Sequence, residues 1–298
     1  LTVPSPRIDL MPNLTSLNMY YNNMQGDLYN PNISKKIISY NVGYNYNLNS
    51  GPIPDFTNCT GLTSIDLYYT NRNSNGNTIW NTLINLDSFN ISSNYGLTGV
   101  TIDLSNTNHL QSFSMNSTNY NSIGTRFDTL TGLTSISMVS CNNLVETMPL
   151  LTNSTELQSL YAYNTAFYGK CIDTTIFPKL NGLLLMGDKL SGEFPDLSNN
   201  PLLSDLRLSS NKYNDWKTIY SIKVQNDNKI LVSGQFSSYS GQTSINIIRL
   251  NTNGMIDTIY DGYSKFDSSE DSYNINTIDI QSDGKVLAGG TFMRFSGS

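Results

Sequence analysis

Charge is scarce in this sequence: Asp, Glu, Lys and Arg make up 13% of its 298 residues, and the acids prevail for a net charge of −6. A groove that tracks phosphates draws its affinity from clustered Lys and Arg, so nucleic acid is excluded as a partner. Long apolar runs are missing as well. No stretch reaches the ~18 residues read as a membrane-crossing helix, so no membrane insertion is expected. Nor does a basic segment followed by an apolar one open the chain, as a secretory signal would. There is one histidine, His109, and there are three cysteines, Cys59, Cys141 and Cys171. Without Cys-x-x-Cys spacing this set excludes a zinc site, and its odd count does not make a disulfide scaffold. The thiols read as buried or half-buried packing groups. Phosphate loops, HExxH, GxSxG and Asp-rich calcium loops are absent too. Neither metal nor cofactor is expected, and no residue receives a catalytic role. His109 stands directly before an apolar column, and Glu270 and Asp271 sit among serines; both read as solvated loop.

What the sequence does hold is 38% apolar residues, enough for the cores of two ordinary domains, together with abundant Asn, Ser, Thr and Tyr. It opens on Leu1 and runs out inside a repeat, so a segment of a longer polypeptide is expected.

Residues 1–216 are organised by the apolar pattern L-x-x-L-x-L-x-x-N, which recurs in one register. Nine copies begin at Leu14, Ile37, Leu62, Leu86, Leu110, Leu133, Leu157, Leu180 and Leu203, 23 to 25 residues apart. A second apolar column runs Leu17, Tyr40, Ile65, Phe89, Phe113, Ile136, Leu160, Leu183 and Leu206. A third runs Met19, Val42, Leu67, Ile91, Met115, Met138, Ala162, Leu185 and Leu208. Eight residues after each start comes a short polar or thiol side chain: Asn22, Asn45, Thr70, Asn94, Thr118, Cys141, Thr165, Asp188 and Asn211. Where a strand turns away, such groups satisfy amides and carbonyls whose burial unpaired costs about 1–3 kcal/mol each. Cys141 therefore takes a structural seat.

Glycine recurs beyond that column at Gly26, Gly51, Gly76, Gly99, Gly124, Gly169 and Gly192, and the sixth copy lacks it. Gly51-Pro-Ile-Pro54 and Leu190-Ser-Gly-Glu-Phe-Pro195 resemble the L-x-G-x-I-P signature of plant-type leucine-rich repeats, a likeness covering residues from about 10 to 212. The resemblance implies a mainly β, helix-poor, curved solenoid in which each copy gives one short strand to a parallel sheet and closes through irregular chain. It implies little about function, because that family binds proteins, peptides, glycans and hormones alike.

Residues between the apolar columns fall on the opposite face of the sheet. Two residues after each start this face is serine, from Ser16, Ser39 and Ser64 through Ser88, Ser112, Ser135 and Ser159, then Gly182 and Asp205. Six and seven residues after the start stand Tyr20, Tyr21, Tyr44, Tyr68 and Tyr69, with a second group at Tyr161 and Tyr163. Asn18, Asn41, Asn90 and Asn116 add amides, and Asp66, Asp205 and Arg207 are the exceptions to a face without charge. Tyrosine offers a rigid plane and one hydroxyl at low entropic cost, which suits a neutral glycan or a polar protein surface. The candidate ligand-binding residues are thus Asn18, Tyr20, Tyr21, Asn41, Tyr44, Asp66, Tyr68, Tyr69, Tyr161, Tyr163 and Arg207.

From residue 217 to 298 the period changes. Residues 221–236, SIKVQNDNKILVSGQF, align with residues 277–292, TIDIQSDGKVLAGGTF. Each reads as strand, tight turn, strand, with Asp283-Gly284 a two-residue hairpin turn and Asp227-Asn228 its equivalent. Residues 247–254, IIRLNTNG, add a strand that ends at a turn. These segments resemble the delta-60 repeat family, whose units carry Q-x-D-G-K-[IV]-L-x-x-G-x-F followed by [IV]-x-R-L-N-x-x-G. That resemblance implies antiparallel, β-propeller-type units, about one and a half of them here, too few to close a propeller.

Asn-x-Ser/Thr triplets at Asn13, Asn32, Asn58, Asn90, Asn116 and Asn153 are expected by accident in so Asn-rich a chain. The delta-60 likeness and the low-charge composition point first to a bacteriophage virion protein of the tail fibre or receptor-binding apparatus. It would recognise a host-surface glycan or protein through the leucine-rich-repeat face. The alternative is a bacterial cell-surface adhesin built from the same modules, and the third reading is a polysaccharide-degrading enzyme with its catalytic domain beyond residue 298. Other virion or fibre subunits are further expected partners. A homotrimer is implied by the tail-fibre reading alone, since no trimerisation heptad is encoded. The expected location is a virion tail or a cell surface.

Overall fold

The computed structural model describes residues 3–192, 195–197, 199–208, 212–213, 216–236, 238–239, 242–243, 246–252, 255–258 and 274–291. Asn211 of the turn column, the pair Glu270 and Asp271, Glu193 and Phe194 of the second L-x-G-x-I-P-like segment, and Phe292, Asn253 and Gly254 of the C-terminal repeat lie outside the described residues.

The chain forms two compact units, the first from Leu1–Leu157 with Asn164–Ala166, the second from Gln158–Tyr163 with Phe167–Ser298. In the first unit six three-residue strands run parallel: β1 (Ser16–Asn18), β2 (Ser39–Asn41), β3 (Ser64–Asp66), β4 (Ser88–Asn90), β5 (Ser112–Ser114) and β6 (Ser135–Ser137). Their register is that of the sequence repeat, with each leading serine opposite the next from Ser16 through Ser39, Ser64, Ser88 and Ser112 to Ser135. The middle residues Leu17, Tyr40, Ile65, Phe89, Phe113 and Ile136 are buried while their neighbours face solvent. Period-two alternation over three residues is all that a strand of this length needs.

Burial holds the stack together, each large apolar side chain adding about 1.5–3 kcal/mol. An aromatic spine threads the unit. Tyr40 meets Phe56 at 5.0 Å between centroids, Trp80 packs on Phe89 at 5.3 Å, Phe89 on Phe113 at 6.2 Å, and Phe113 on Phe127 at 5.2 Å. The turn column supplies the polar mortar. Asn45 Oδ1 accepts from the Asn22 and Met24 amides at 3.1 and 2.9 Å, and its Nδ2 donates to the Met19 and Val42 carbonyls, both at 2.8 Å. Asn94 repeats the arrangement with the Thr70 and Arg72 amides and the Leu67 and Ile91 carbonyls. Cys141 uses the same seat, its Sγ donating to the Met115 carbonyl at 3.1 Å, and burial pushes its thiol up from the ordinary value.

The outer side of the turns is more regular than the irregular chain expected from the sequence. Short parallel ladders join Val3–Pro4 to Met24–Gln25, Gly51–Pro52 to Arg72–Ser74, and Thr98–Val100 to Asn119–Ser122. Single 3-10 turns lie at Ile8–Leu10, Pro31–Ile33, Trp80–Thr82 and Phe127–Thr129. Pieces of two to four residues carry no readable period. Glycine is required where turns meet: a Cβ on Gly76, at φ +69°, would fall 2.1 Å from the Ile53 carbonyl oxygen. Arg72, 2% exposed, ties two successive turns through the carbonyls of Thr70 in its own turn and of Asn49 and Pro52 in the preceding one; burial lowers its guanidinium to about 10.

In the second unit β7 (Ser159–Tyr161), β8 (Gly182–Leu184) and β9 (Asp205–Arg207) continue the parallel pattern in the same repeat register. The strands that follow are antiparallel: β10 (Trp216–Val224) pairs with β11 (Ile230–Phe236), and β11 with β12 (Ile247–Leu250). A further hairpin joins β13 (Asn274–Ile280) to β14 (Val286–Thr291). Leu231, Ile247, Ile275 and Ile278 form the core beneath these strands.

Both hairpin loops are one residue longer than the two-residue turns expected. The Gly284 amide donates to the Gln281 carbonyl at 2.9 Å, and Gly284 at φ +81° leads the chain back to Lys285, whose carbonyl accepts from the Gln281 amide at 2.8 Å. Gln225 to Lys229 repeats this with Asn228 at φ +62°. A turn followed by one left-handed residue matches the strand twist as well as a primed turn does. The shared lysine and arginine are structural. Lys229 and Arg249 both bond the Asp257 carboxylate, at 2.9 and 2.6 Å, and Asp257 is 2% exposed.

Candidate binding face

Two backbone devices shape the solvent face of β1–β4. The side chain four residues after each repeat start accepts from the amide two residues later: Asn18 from Tyr20 at 3.2 Å, Asn41 from Gly43 at 3.0 Å, Asp66 from Tyr68 at 2.9 Å and Asn90 from Ser92 at 3.1 Å. Short Asn and Asp side chains make this turn locally. The chain then enters the left-handed region at the seventh residue: Tyr21 (φ 56°), Tyr44 (φ 59°), Tyr69 (φ 53°), Ser93 (φ 59°), Ser117 (φ 54°) and Ser140 (φ 57°). From there the seventh amide donates to the next turn, Tyr21 to Gly43, Tyr44 to Tyr68 and Tyr69 to Ser92, at 2.9, 2.6 and 2.9 Å. Asn and Gly tolerate this conformation readily. A bulky side chain does not, at a cost of about 1–2 kcal/mol per residue.

Three tyrosines held at that position gather a continuous ring cluster. Tyr44 is its hub, 4.7 Å from Tyr21, 5.8 Å from Tyr68, 5.7 Å from Tyr69 and 6.2 Å from Tyr20 between centroids. Tyr46 joins by stacking on Tyr69 at 5.7 Å. Tyr20, Tyr21 and Tyr46 remain 47%, 67% and 49% exposed, so the cluster is a platform and not a core. Desolvation, followed by the neighbouring phenols of Tyr21 and Tyr68, raises the Tyr44 hydroxyl above its ordinary value.

A polar row runs beside the rings. Asp66 is half-buried; burial raises its carboxyl, and the Tyr68 amide partly offsets this. Its Oδ1 takes the Tyr68 amide and Asn90 Nδ2, the latter at 3.2 Å, while Oδ2 is open to solvent and has no protein partner among the described residues. Gly43 lets these groups close in, since a Cβ there would lie 3.2 Å from both Asp66 Oδ1 and Tyr20 Cδ2.

The face thus brings together Asn18, Tyr20, Tyr21, Asn41, Tyr44, Asp66, Tyr68 and Tyr69. Tyr161, Tyr163 and Arg207 belong to the second unit. Among the described residues Tyr161 and Tyr163 form no ring pair; the Tyr161 hydroxyl instead lies over Gly182, 2.9 Å from where a Cβ would stand. Arg207 pairs with Asp205 at 2.9 Å on the exposed surface. Sequence reasoning missed Tyr46 and Gly43. Tyr46 falls just past the turn column, where the flanking turns carry the left-handed Asn23 and Asn71. Of the turn column, Asn22 is exposed and caps only the Tyr20 carbonyl, whereas Asn45, Thr70, Asn94, Thr118, Cys141, Thr165 and Asp188 are buried. His109 is exposed, Cys59 and Cys141 are buried and Cys171 is half-buried.

A family described as "Domain of unknown function (DUF5122) beta-propeller" matches residues 225–258 and 281–298. No curated protein matches the sequence. Among solved structures the chain is similar to the leucine-rich-repeat ectodomain of the plant membrane receptor kinase GASSHO1/SCHENGEN3 from Arabidopsis thaliana, in complex with CASPARIAN STRIP INTEGRITY FACTOR 2. Identity is 21% and the TM-score 0.52, over 70% of this chain and 23% of that one. It is also similar to the plant peptide hormone receptor RGFR1 in complex with RGF2, at 20% identity and a TM-score of 0.55, over 71% of this chain and 39% of that one. The functional domain of InlJ from Listeria monocytogenes aligns at 15% identity and a TM-score of 0.49, over 96% of this chain and 72% of that one. The chain therefore spans well under two thirds of the length of the two plant receptors. The strand topology, the propeller family match and the likeness to the two plant receptors assign the fold: a leucine-rich-repeat solenoid, mainly β and helix-poor, followed by antiparallel strands of propeller type.

Proposed function

We propose that this chain is a non-catalytic recognition module of an extracellular fibre or adhesin, and that the tyrosine platform on β1–β3 is where its partner docks. The observation that carries this reading is Tyr21, Tyr44 and Tyr69 in left-handed backbone, where later turns hold serine. Strain of this kind persists where the surrounding structure enforces it, and it clusters at ligand contacts. The later turns adopt the same backbone with serine, so the fold does not call for phenols there. The two plant receptors of the same fold are in complex with their factors, but one fold hosts many ligands, so the reading rests on these side chains and not on the likeness.

Within this class the tail fibre or receptor-binding apparatus of a bacteriophage is the first reading, supported by the delta-60 resemblance and the low charge. A bacterial surface adhesin of the same modules is the second. Mass spectrometry of purified virions from the source phage would detect this polypeptide in the first case, and cell-wall fractions would hold it in the second. The recognition role itself is tested by changing Tyr20, Tyr44 and Tyr68 together to Ala. The variant is expected to fold with an unchanged circular dichroism spectrum and to lose attachment to bacterial envelopes; full attachment would refute the role.

A further inference from the structure

Resting on the reading of the platform as a recognition surface, the side-chain chemistry also names the class of its ligand. None of the residues two, four, six or seven places after the first four repeat starts is Lys or Arg. A peptide carboxylate or phosphate would find no cation on this face. The polar row across β1–β4 offers instead the Nδ2 donors of Asn18 and Asn41, which have no protein acceptor among the described residues, the open Oδ2 of Asp66, and the Nδ2 of Asn90 beside it. Adjacent strands hold these groups about 4.8 Å apart, close to the width of one sugar ring. Donors flanking one strong acceptor suit hydroxyls, which both give and take a hydrogen bond. Directly alongside stand the rings around Tyr44, tilted 33° to 52° against Tyr68, Tyr20 and Tyr21, a stepped surface rather than a flat one.

We infer that the platform binds a neutral saccharide, its C–H faces laid on Tyr44, Tyr68 and Tyr21 and its hydroxyls bonded to Asp66 Oδ2 and the Asn41 and Asn90 amides. Asp66 is the selective group. Its carboxylate is held through Oδ1 by the Tyr68 amide, and Asn makes the same turn at residues 18, 41 and 90. Asp66→Asn therefore keeps the turn and replaces only the open acceptor by a donor.

The test uses the full chain on immobilised neutral polysaccharides, namely a glucan, a mannan, a galactan and a rhamnan, and in parallel on bacterial envelopes. Retention on at least one polysaccharide is expected, weakened by about tenfold or more in Asp66→Asn and in Asn41→Asp, which keeps the acceptor for the Gly43 amide and removes only the Nδ2 donor, at unchanged thermal midpoint. Periodate, which cleaves vicinal diols, is expected to remove envelope attachment. No retention on any polysaccharide, with attachment that survives periodate and is lost to protease, would overturn the saccharide inference and identify a protein partner while leaving the platform reading intact. Retention undiminished in Asp66→Asn, yet lost in Tyr44→Asn, would overturn the assignment of the polar row. Attachment indifferent to Tyr44→Asn would remove the platform reading and the inference with it.

Discussion

The first three turns and the next three share one backbone and differ in what they hang on it. In turns four to six the left-handed residue is Ser93, Ser117 or Ser140; in turns one to three it is Tyr21, Tyr44 or Tyr69, at φ angles within a few degrees of the same value. Beneath both runs lie the same serine-paired strands and the same buried columns. The scaffold therefore does not require the tyrosines. They are an addition to it, placed where the backbone resists them, and the contrast separates what folds this chain from what it does.

Breaking the scaffold gives the largest expected effect, in either run. Asn94→Ala leaves the Thr70 and Arg72 amides and the Ile91 carbonyl without their side-chain partner, while the Leu67 carbonyl keeps the Thr70 hydroxyl. At about 1–3 kcal/mol per orphaned group, partly relieved by water, a loss of at least about 3 kcal/mol in urea unfolding is expected. Gly76→Ala follows, since the new Cβ would overlap the Ile53 carbonyl from a left-handed backbone; a loss of about 2 kcal/mol is expected by the same assay. Against these, Tyr44→Asn should shift stability by less than about 1 kcal/mol, because relief at φ 59° offsets the lost ring contacts, while attachment to envelopes falls. The reverse change sharpens the comparison from the other side. Ser117→Tyr brings a bulky ring to the same backbone without partners, and a loss of about 1 kcal/mol in thermal denaturation would confirm that the tyrosines carry strain.

Much of this was legible in the sequence because burial leaves a periodic imprint. Leu17 through Ile136 and Asn45 through Cys141 are spaced by the turn of the solenoid, so the strands, their register and the turn column follow from counting. The tyrosine-bearing turns were legible as a surface for the same reason. The left-handed backbone beneath Tyr21, Tyr44 and Tyr69 was hidden because tyrosine is a poor marker of positive φ; Asn164 and Gly187 at the equivalent place carry the signal. Tyr46 lay outside the columns being read, and the outer ladders around Gly51 and Thr98 are too short to alternate. In the second unit the repeat QSDGK marked a hairpin but not its loop length, because Gly284 supplies the left-handed residue that either turn requires.

The most direct measurement compares the two runs of turns at the left-handed position, where one run holds tyrosine and the other serine. Tyr21, Tyr44 and Tyr69 are changed together to Asn in one full-length variant, and Ser93, Ser117 and Ser140 to Asn in another, and attachment of each to bacterial envelopes is titrated beside its thermal midpoint. Both variants are expected to melt near the parent, with attachment lost in the first and kept in the second. Equal attachment by the two, or its loss only in the second, would contradict the assignment of recognition to the tyrosine-bearing turns.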